Sequence, residues 1–210
     1  MTKLILIRHG ESLGNKQNIF LGHEDMDLSP KGYKQAALTA EALKNIHIDA
    51  IYSSDLQRAY HTAQPTAASH GLDVIRDNHL REINAGDWDG MGFEELKYKA
   101  DYKLWLADVG HAHCTGGESV AELWERIHSC VRTIAEENDG KTVLIATHAT
   151  PIRTLVTGWS GKTIDDMKDV PWVGNASLTY ADYTDGKFTL TKVNDVAHLK
   201  DLATTLPKNV

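Results

Sequence analysis

The sequence predicts an α/β protein: a mostly parallel central sheet flanked by helices on both faces, with a late antiparallel hairpin and a small helical cap. Three observations predict it. Short unbroken apolar runs recur at Leu4–Ile7, Asp49–Tyr52 and Thr142–Ala146. Runs without polar alternation mark strands buried on both faces, the habit of parallel sheets. Helical patterns opened by capping residues fill the intervals, and near the C-terminus two alternating segments flank the two-residue turn Asp185-Gly186.

Taken in order, Leu4–Ile7 is the first strand and ends at Arg8-His9. Ser29-Pro30 is an N-cap followed by proline at the first helical position, and Tyr33, Ala36, Ala37, Ala40 and Leu43 then mark one face. The second run ends at Ser53-Ser54, and a helix starting near Ser54 or Asp55 carries Leu56, Ala59 and Tyr60 until Pro65 kinks or ends it. Phe93, Leu96, Ala100 and Leu104 form the apolar side of a helix whose Lys97, Lys99 and Lys103 face solvent. Ser119-Val120-Ala121-Glu122 is a capping box, followed by Leu123, Trp124, Ile127, Val131 and Ile134 at spacings of three and four. The third run ends at Thr147-His148, and Thr150-Pro151 opens another helix at once. Ser177–Tyr183 and Lys187–Val193 make the hairpin.

The 210 residues, without repeat or linker, read as one domain, 1–210, with a cap segment at about 91–118. A formal charge of −7 argues against a general nucleic-acid partner, whose binding rests on phosphate neutralisation. No apolar run reaches spanning length or matches a signal peptide, so a soluble cytoplasmic protein with no membrane partner is expected, as a monomer or homodimer. Cys114 and Cys130 form neither a disulfide framework nor a zinc spacing. His111, His113 and Cys114 lack a partner cluster, and Gly158–Thr163 lacks the first glycine of a P-loop, so both read as loops.

In open α/β sheets ligands bind beyond the carboxyl ends of the strands. That rule gives priority to Arg8-His9-Gly10-Glu11, to Ser53-Ser54-Asp55 leading to Arg58, and to His148, with Glu82 as a fourth candidate in an aperiodic stretch. Two histidines and two arginines at one sheet edge suggest phosphoryl transfer. Neutral imidazole attacks phosphorus well, and guanidinium forks match the charge spread over the transferring group's oxygens. Glu11, Asp55 and Asp87 are competing carboxylates, of which Glu11 reads as an orienting group and Asp55 as a helix cap.

Arg8-His9-Gly10-Glu11-Ser12 with Asn15 resembles the signature of the histidine phosphatase superfamily, the phosphoglycerate mutase-like proteins, in its small phosphatase branch. The resemblance extends to Asp27–Gly32 with Gln35-Ala36, to Ser53–Ala59 with Thr62-Ala63, to Leu80–Gly90, to Gly116-Gly117-Glu118-Ser119 and to Thr147-His148. These motifs stand in family order over residues 3–150. Two departures are visible: Ala149 stands where the family often has glycine, and Leu21-Gly22 where many relatives have Gln-Gly.

The resemblance implies that His9 attacks the substrate phosphorus and becomes a phosphohistidine, while Arg8, Arg58 and His148 hold the phosphate oxygens. Asn15, Gly22 and Ala149 join them as substrate-binding positions. Glu82 is implied as the acid that protonates the leaving alkoxide and then as the base that activates water. No metal and no cofactor are implied, and the partner is a small-molecule phosphomonoester. Two enzymatic outcomes share this chemistry, a phosphomonoester hydrolase and a phosphoglycerate mutase; a phosphate-binding module without catalysis is the third. Residues 91–115 contain neither Pro nor Arg, unlike the longer proline- and arginine-rich stretch of the family's mutases, which favours the hydrolase.

Overall fold

The computed structural model describes residues 1–204, so the last six of the expected 1–210 domain lie outside the described residues. In chain order the elements are β1 (Thr2–Arg8), α1 (Leu13–Gln17), α2 (Pro30–Leu43), β2 (Ala50–Ser53), α3 (Gln57–His70) and β3 (Val74–Arg76). Then come α4 (Phe93–Leu96), α5 (Ala100–Ala107), α6 (Val120–Glu137), β4 (Thr142–Thr147), α7 (Ala149–Trp159), β5 (Leu178–Thr184) and β6 (Lys187–Asp195). One six-stranded sheet has the order β3-β2-β4-β1-β5-β6. The first four in that order run parallel, while β5 pairs antiparallel with both β1 and β6.

The apolar runs become central strands because both sheet faces are covered. Alternate side chains serve opposite layers: Leu4, Leu6, Val143 and Ile145 pack with α6 and α7, through residues such as Leu123, Ile127 and Ile152. Ile5, Ile7, Leu144 and Ala146 pack instead with Leu43 of α2 and with Ala63 and Ala67 of α3. Full burial of each large aliphatic side chain contributes about 1.5–3 kcal/mol, so the two layers together fix the strand register. The hairpin turn has φ of +50° at Asp185 and +78° at Gly186, the twist that suits adjacent antiparallel strands.

Four local expectations need correction. The buried stripe of α2 is Gly32, Gln35, Ala36, Thr39, Ala40 and Leu43, which leaves Tyr33 and Ala37 exposed. Proline does not end α3: the helix runs through Pro65 to His70, because Thr62, Ala63, Thr66 and Ala67 keep one continuous buried face. The expected single helix after Phe93 is two, broken over 97–99, and it buries Leu96, Tyr102 and Trp105, while Leu104 is exposed. The helix expected to be capped by Thr150 and to start at Pro151 begins two residues earlier, with His148 as its N-cap.

The cap packs around one aromatic cluster. Trp88 is fully buried and meets Phe20, Tyr102 and Trp105 edge to face at centroid separations of 5.6, 5.4 and 5.8 Å. Its Nε1 donates to Asp101 at 2.8 Å, so the cap's second helix is tied to the acidic loop before it. Burial pushes both free thiols, Cys114 and half-buried Cys130, above their ordinary range, which disfavours the thiolate. Among the described residues no helix is long and apolar enough to cross a membrane.

Candidate active site

Strand order brings the chemistry together. Because β1 lies beside β4, and β4 beside β2, the residues leaving these strands share one edge. His9 N donates to Thr147 O at 2.9 Å, and Ser54 N donates to Ala146 O at 2.9 Å. The rings of His9 and His148 consequently stand 5.2 Å apart, centroid to centroid. Arg8, His9, Arg58, Glu82 and His148 are all buried.

His9 has a defined tautomer. Its Nδ1 lies 2.7 Å from Gly10 O, and since a carbonyl only accepts, Nδ1 carries the hydrogen and donates. The neutral ring therefore keeps its lone pair on Nε2. Burial, then the charges of Arg58 and Arg8, hold the His9 pKa well below its ordinary value, so the lone pair persists in mildly acidic solution. Burial, then Arg58 and His9, do the same for His148. His148 Nε2 pairs with Ser54 Oγ at 2.9 Å, while its buried Nδ1 has no protein partner among the described residues.

Two guanidinium groups flank the imidazoles. Arg8 donates to Val173 O at 2.6 Å, and Arg58 donates to Glu24 O at 2.8 Å and to Gly22 O at 2.7 Å. In both, the Nε–H is buried with no protein partner among the described residues. Burial pushes each pKa down to about 10, with Glu82 opposing the shift, and both remain charged at neutral pH. An unpaired buried donor costs about 1–3 kcal/mol, and charged donors more, so a site holding several is built to receive an acceptor-rich anion. The Glu82 carboxylate accepts from Ile83 N at 2.9 Å and from Thr150 N, in the first turn of α7, at 3.3 Å.

The remaining candidates separate. Asn15 and Ala149 line a cavity of about 270 Å³ together with Arg8, His9 and Glu82. The substrate contact expected of Gly22 is not available through its amide, which donates to Asp89 at 2.8 Å; its carbonyl anchors Arg58 instead. Glu11 accepts from the Ser29 hydroxyl at 2.7 Å, orienting the start of α2. Asp55 caps no helix: it takes both forks of Arg81, at 2.7 and 2.5 Å, and thereby ties the Glu82 loop to the loop after β2.

Sequence reasoning missed Asn175 and Trp172. Asn175 Nδ2 donates to His9 O at 3.2 Å and to Asn15 Oδ1 at 3.0 Å. Trp172 closes the cavity wall, braced by the Arg153 guanidinium 4.3 Å from its ring centroid. The signal for Asn175 was the antiparallel hairpin itself. A strand antiparallel to β1 starts where β1 ends, so the residues before Ser177 had to meet Arg8 and His9.

A histidine with a free Nε2, set among unpaired buried cationic donors at the carboxyl edge of a parallel sheet, defines an anion-handling enzyme site. Residues 4–196 match the histidine phosphatase superfamily (branch 1), and the chain belongs to that family. It is 34% identical over 201 residues, 95% of each chain, to phosphoserine phosphatase 1 of Hydrogenobacter thermophilus. It is 33% identical to phosphoglycerate mutase-like protein 4 of Arabidopsis thaliana, over 95% of this chain and 87% of that one. Among solved structures, a phosphoserine phosphatase mutant from Entamoeba histolytica in complex with phosphoserine superposes with a TM-score of 0.85 at 32% identity, covering 95% of this chain and all of that one.

Proposed function

We propose that the protein is a metal-independent phosphomonoester hydrolase that acts on small phosphorylated metabolites through a phosphohistidine at His9. The Nε2 lone pair forms the N–P bond while the ester P–O bond breaks, its electron pair passing to the leaving oxygen. That oxygen takes a proton from Glu82 and departs as the alcohol. Water then attacks phosphorus and gives its proton to the Glu82 carboxylate, and the N–P electrons return to Nε2, releasing phosphate. Arg8, Arg58 and His148 supply the positive charge and hydrogen bonds that a metal would otherwise provide.

The observation that carries this reading is the pinned tautomer of His9, beside two arginine Nε–H groups and an imidazole nitrogen that have no protein partner among the described residues. Hydrolysis is favoured over mutase transfer because a mutase must hold a second anionic group. Among the described residues the outer cavity wall is instead aromatic, with Phe93, Trp105 and Trp172.

The test is turnover of an aryl phosphate in chelator, with the label on phosphorus. The expected result is turnover that His9→Ala abolishes, through an alkali-stable, acid-labile protein label discharged mainly to water. Metal-dependent turnover, or activity surviving in His9→Ala, would overturn it. Faster transfer of label to 3-phosphoglycerate than to water would assign the mutase.

A further inference from the structure

Glu82 sits in an irregular stretch between two single-turn 3-10 helices, Asn78–Leu80 and Gly86–Trp88, so regular backbone pairing does not set its position. Something else must, since misplacing a catalytic group by about 1 Å can cost a hundredfold in rate. One residue of α6 reaches three main-chain carbonyls of this loop. Arg126 donates to His79 O at 2.8 Å, to Arg81 O at 3.1 Å and to Glu82 O at 3.2 Å. The same guanidinium is gripped by both oxygens of Glu118, each at 2.8 Å.

Glu118 extends the grip. Its Oε2 accepts from Asn84 N at 3.1 Å, and its own N–H donates to Asn84 O at 2.8 Å. His23 Nε2 adds a fourth support, 3.1 Å from Glu82 O. The loop and residues 116–118 touch backbone to backbone: a Cβ at Gly117 would lie 2.2 Å from Asn84 O. Arg126 and Glu118 border a separate cleft of about 450 Å³ that shares no lining residue with the His9 cavity. Arg126 therefore acts on the loop without lining the substrate cavity. The pair is mostly buried, 19% and 14% exposed, so it is screened far less than a surface ion pair.

We propose that Arg126, braced by Glu118, is a positioning residue that sets the Glu82 carboxyl at the leaving-group oxygen by binding three carbonyls of the loop that carries it. This rests on Glu82 being the proton donor, as argued above. It predicts that loss of Arg126 mimics loss of the donor, selectively for substrates whose leaving group needs a proton. A nitrophenolate departs unprotonated, whereas an alkoxide does not.

The experiment measures kcat/KM, which reports the first P–O cleavage, for p-nitrophenyl phosphate and for a simple alkyl phosphate. Glu82→Gln, Arg126→Met, Arg126→Lys and Glu118→Gln are compared with the parent protein. Arg126→Met is expected to lose about tenfold or more on the alkyl ester and no more than about twofold on the aryl ester. Lys cannot reproduce the fork and is expected to fall between Met and the parent. The affinity for vanadate should stay within about twofold. If Glu82→Gln depresses both substrates equally, the donor role itself fails. If Glu82→Gln discriminates between them and the Arg126 variants do not, the positioning role fails. Should Arg126→Met not fold, Arg126→Lys and Glu118→Gln decide by the same ratio.

Discussion

Protonation of the two buried imidazoles gives a direct thermodynamic test of the site. His9 and His148 are held neutral in the folded protein well below the ordinary value of 6.5, whereas the unfolded chain takes up a proton on each below that pH. The unfolded state then binds more protons, so stability is full above pH 6.5 and falls as the solution is acidified. Integrating from about pH 7.5 to about pH 5.5 gives a loss of about 1.4 kcal/mol per histidine and about 3 kcal/mol for the pair. Half-buried His128 and His198, also shifted down, and the carboxylates add their own pH dependence to every variant. The informative quantity is therefore a difference. Urea unfolding of the parent protein, His9→Asn and His148→Gln at the two pH values is expected to show each variant losing about 1.4 kcal/mol less on acidification. Identical pH dependence in all three would mean that the fold leaves both imidazoles at their ordinary pKa, and the downward shift on burial would be refuted.

Three further outcomes follow from the packing. Trp88→Ala removes the centre of the cap cluster and is expected to cost about 3–5 kcal/mol in urea unfolding. Ser119→Ala breaks the capping box of α6 and should cost about 1 kcal/mol, read from the denaturation midpoint at unchanged slope. Trp172→Ala opens the cavity wall and releases Arg153; KM for apolar phosphomonoesters is expected to rise about tenfold with kcat little changed, in steady-state kinetics over a substrate panel.

What the sequence disclosed follows from burial. The runs that became β1, β2 and β4 were legible because helices cover both faces, leaving no polar alternation to confuse them with edge strands. α2 and α6 announced themselves through Ser29-Pro30 and Ser119. β3 was not legible: Val74-Ile75-Arg76 is a three-residue edge strand with Ile75 exposed, and it carries no apolar signature. Pro65 misled because its cost to the helix was weighed without the tertiary face that outweighs it. At the site, His9, Ser54 and His148 could be placed because each follows a strand. Asn175 could have been placed only by carrying the hairpin's antiparallel register through to the end of β1, whereas Arg126 acts through main-chain contacts that no residue pattern reports.

The register of β1 against β4, Lys3 beside Thr142, joins segments far apart along the polypeptide. Such pairing forms late, because closing so long a loop is entropically expensive before any contact rewards it. The nucleophile and its neighbouring imidazole lie just beyond this seam, so the two rings come together only where β1 and β4 have paired. On refolding, turnover marks the final consolidation of the sheet, and it should return only after helical circular dichroism has recovered.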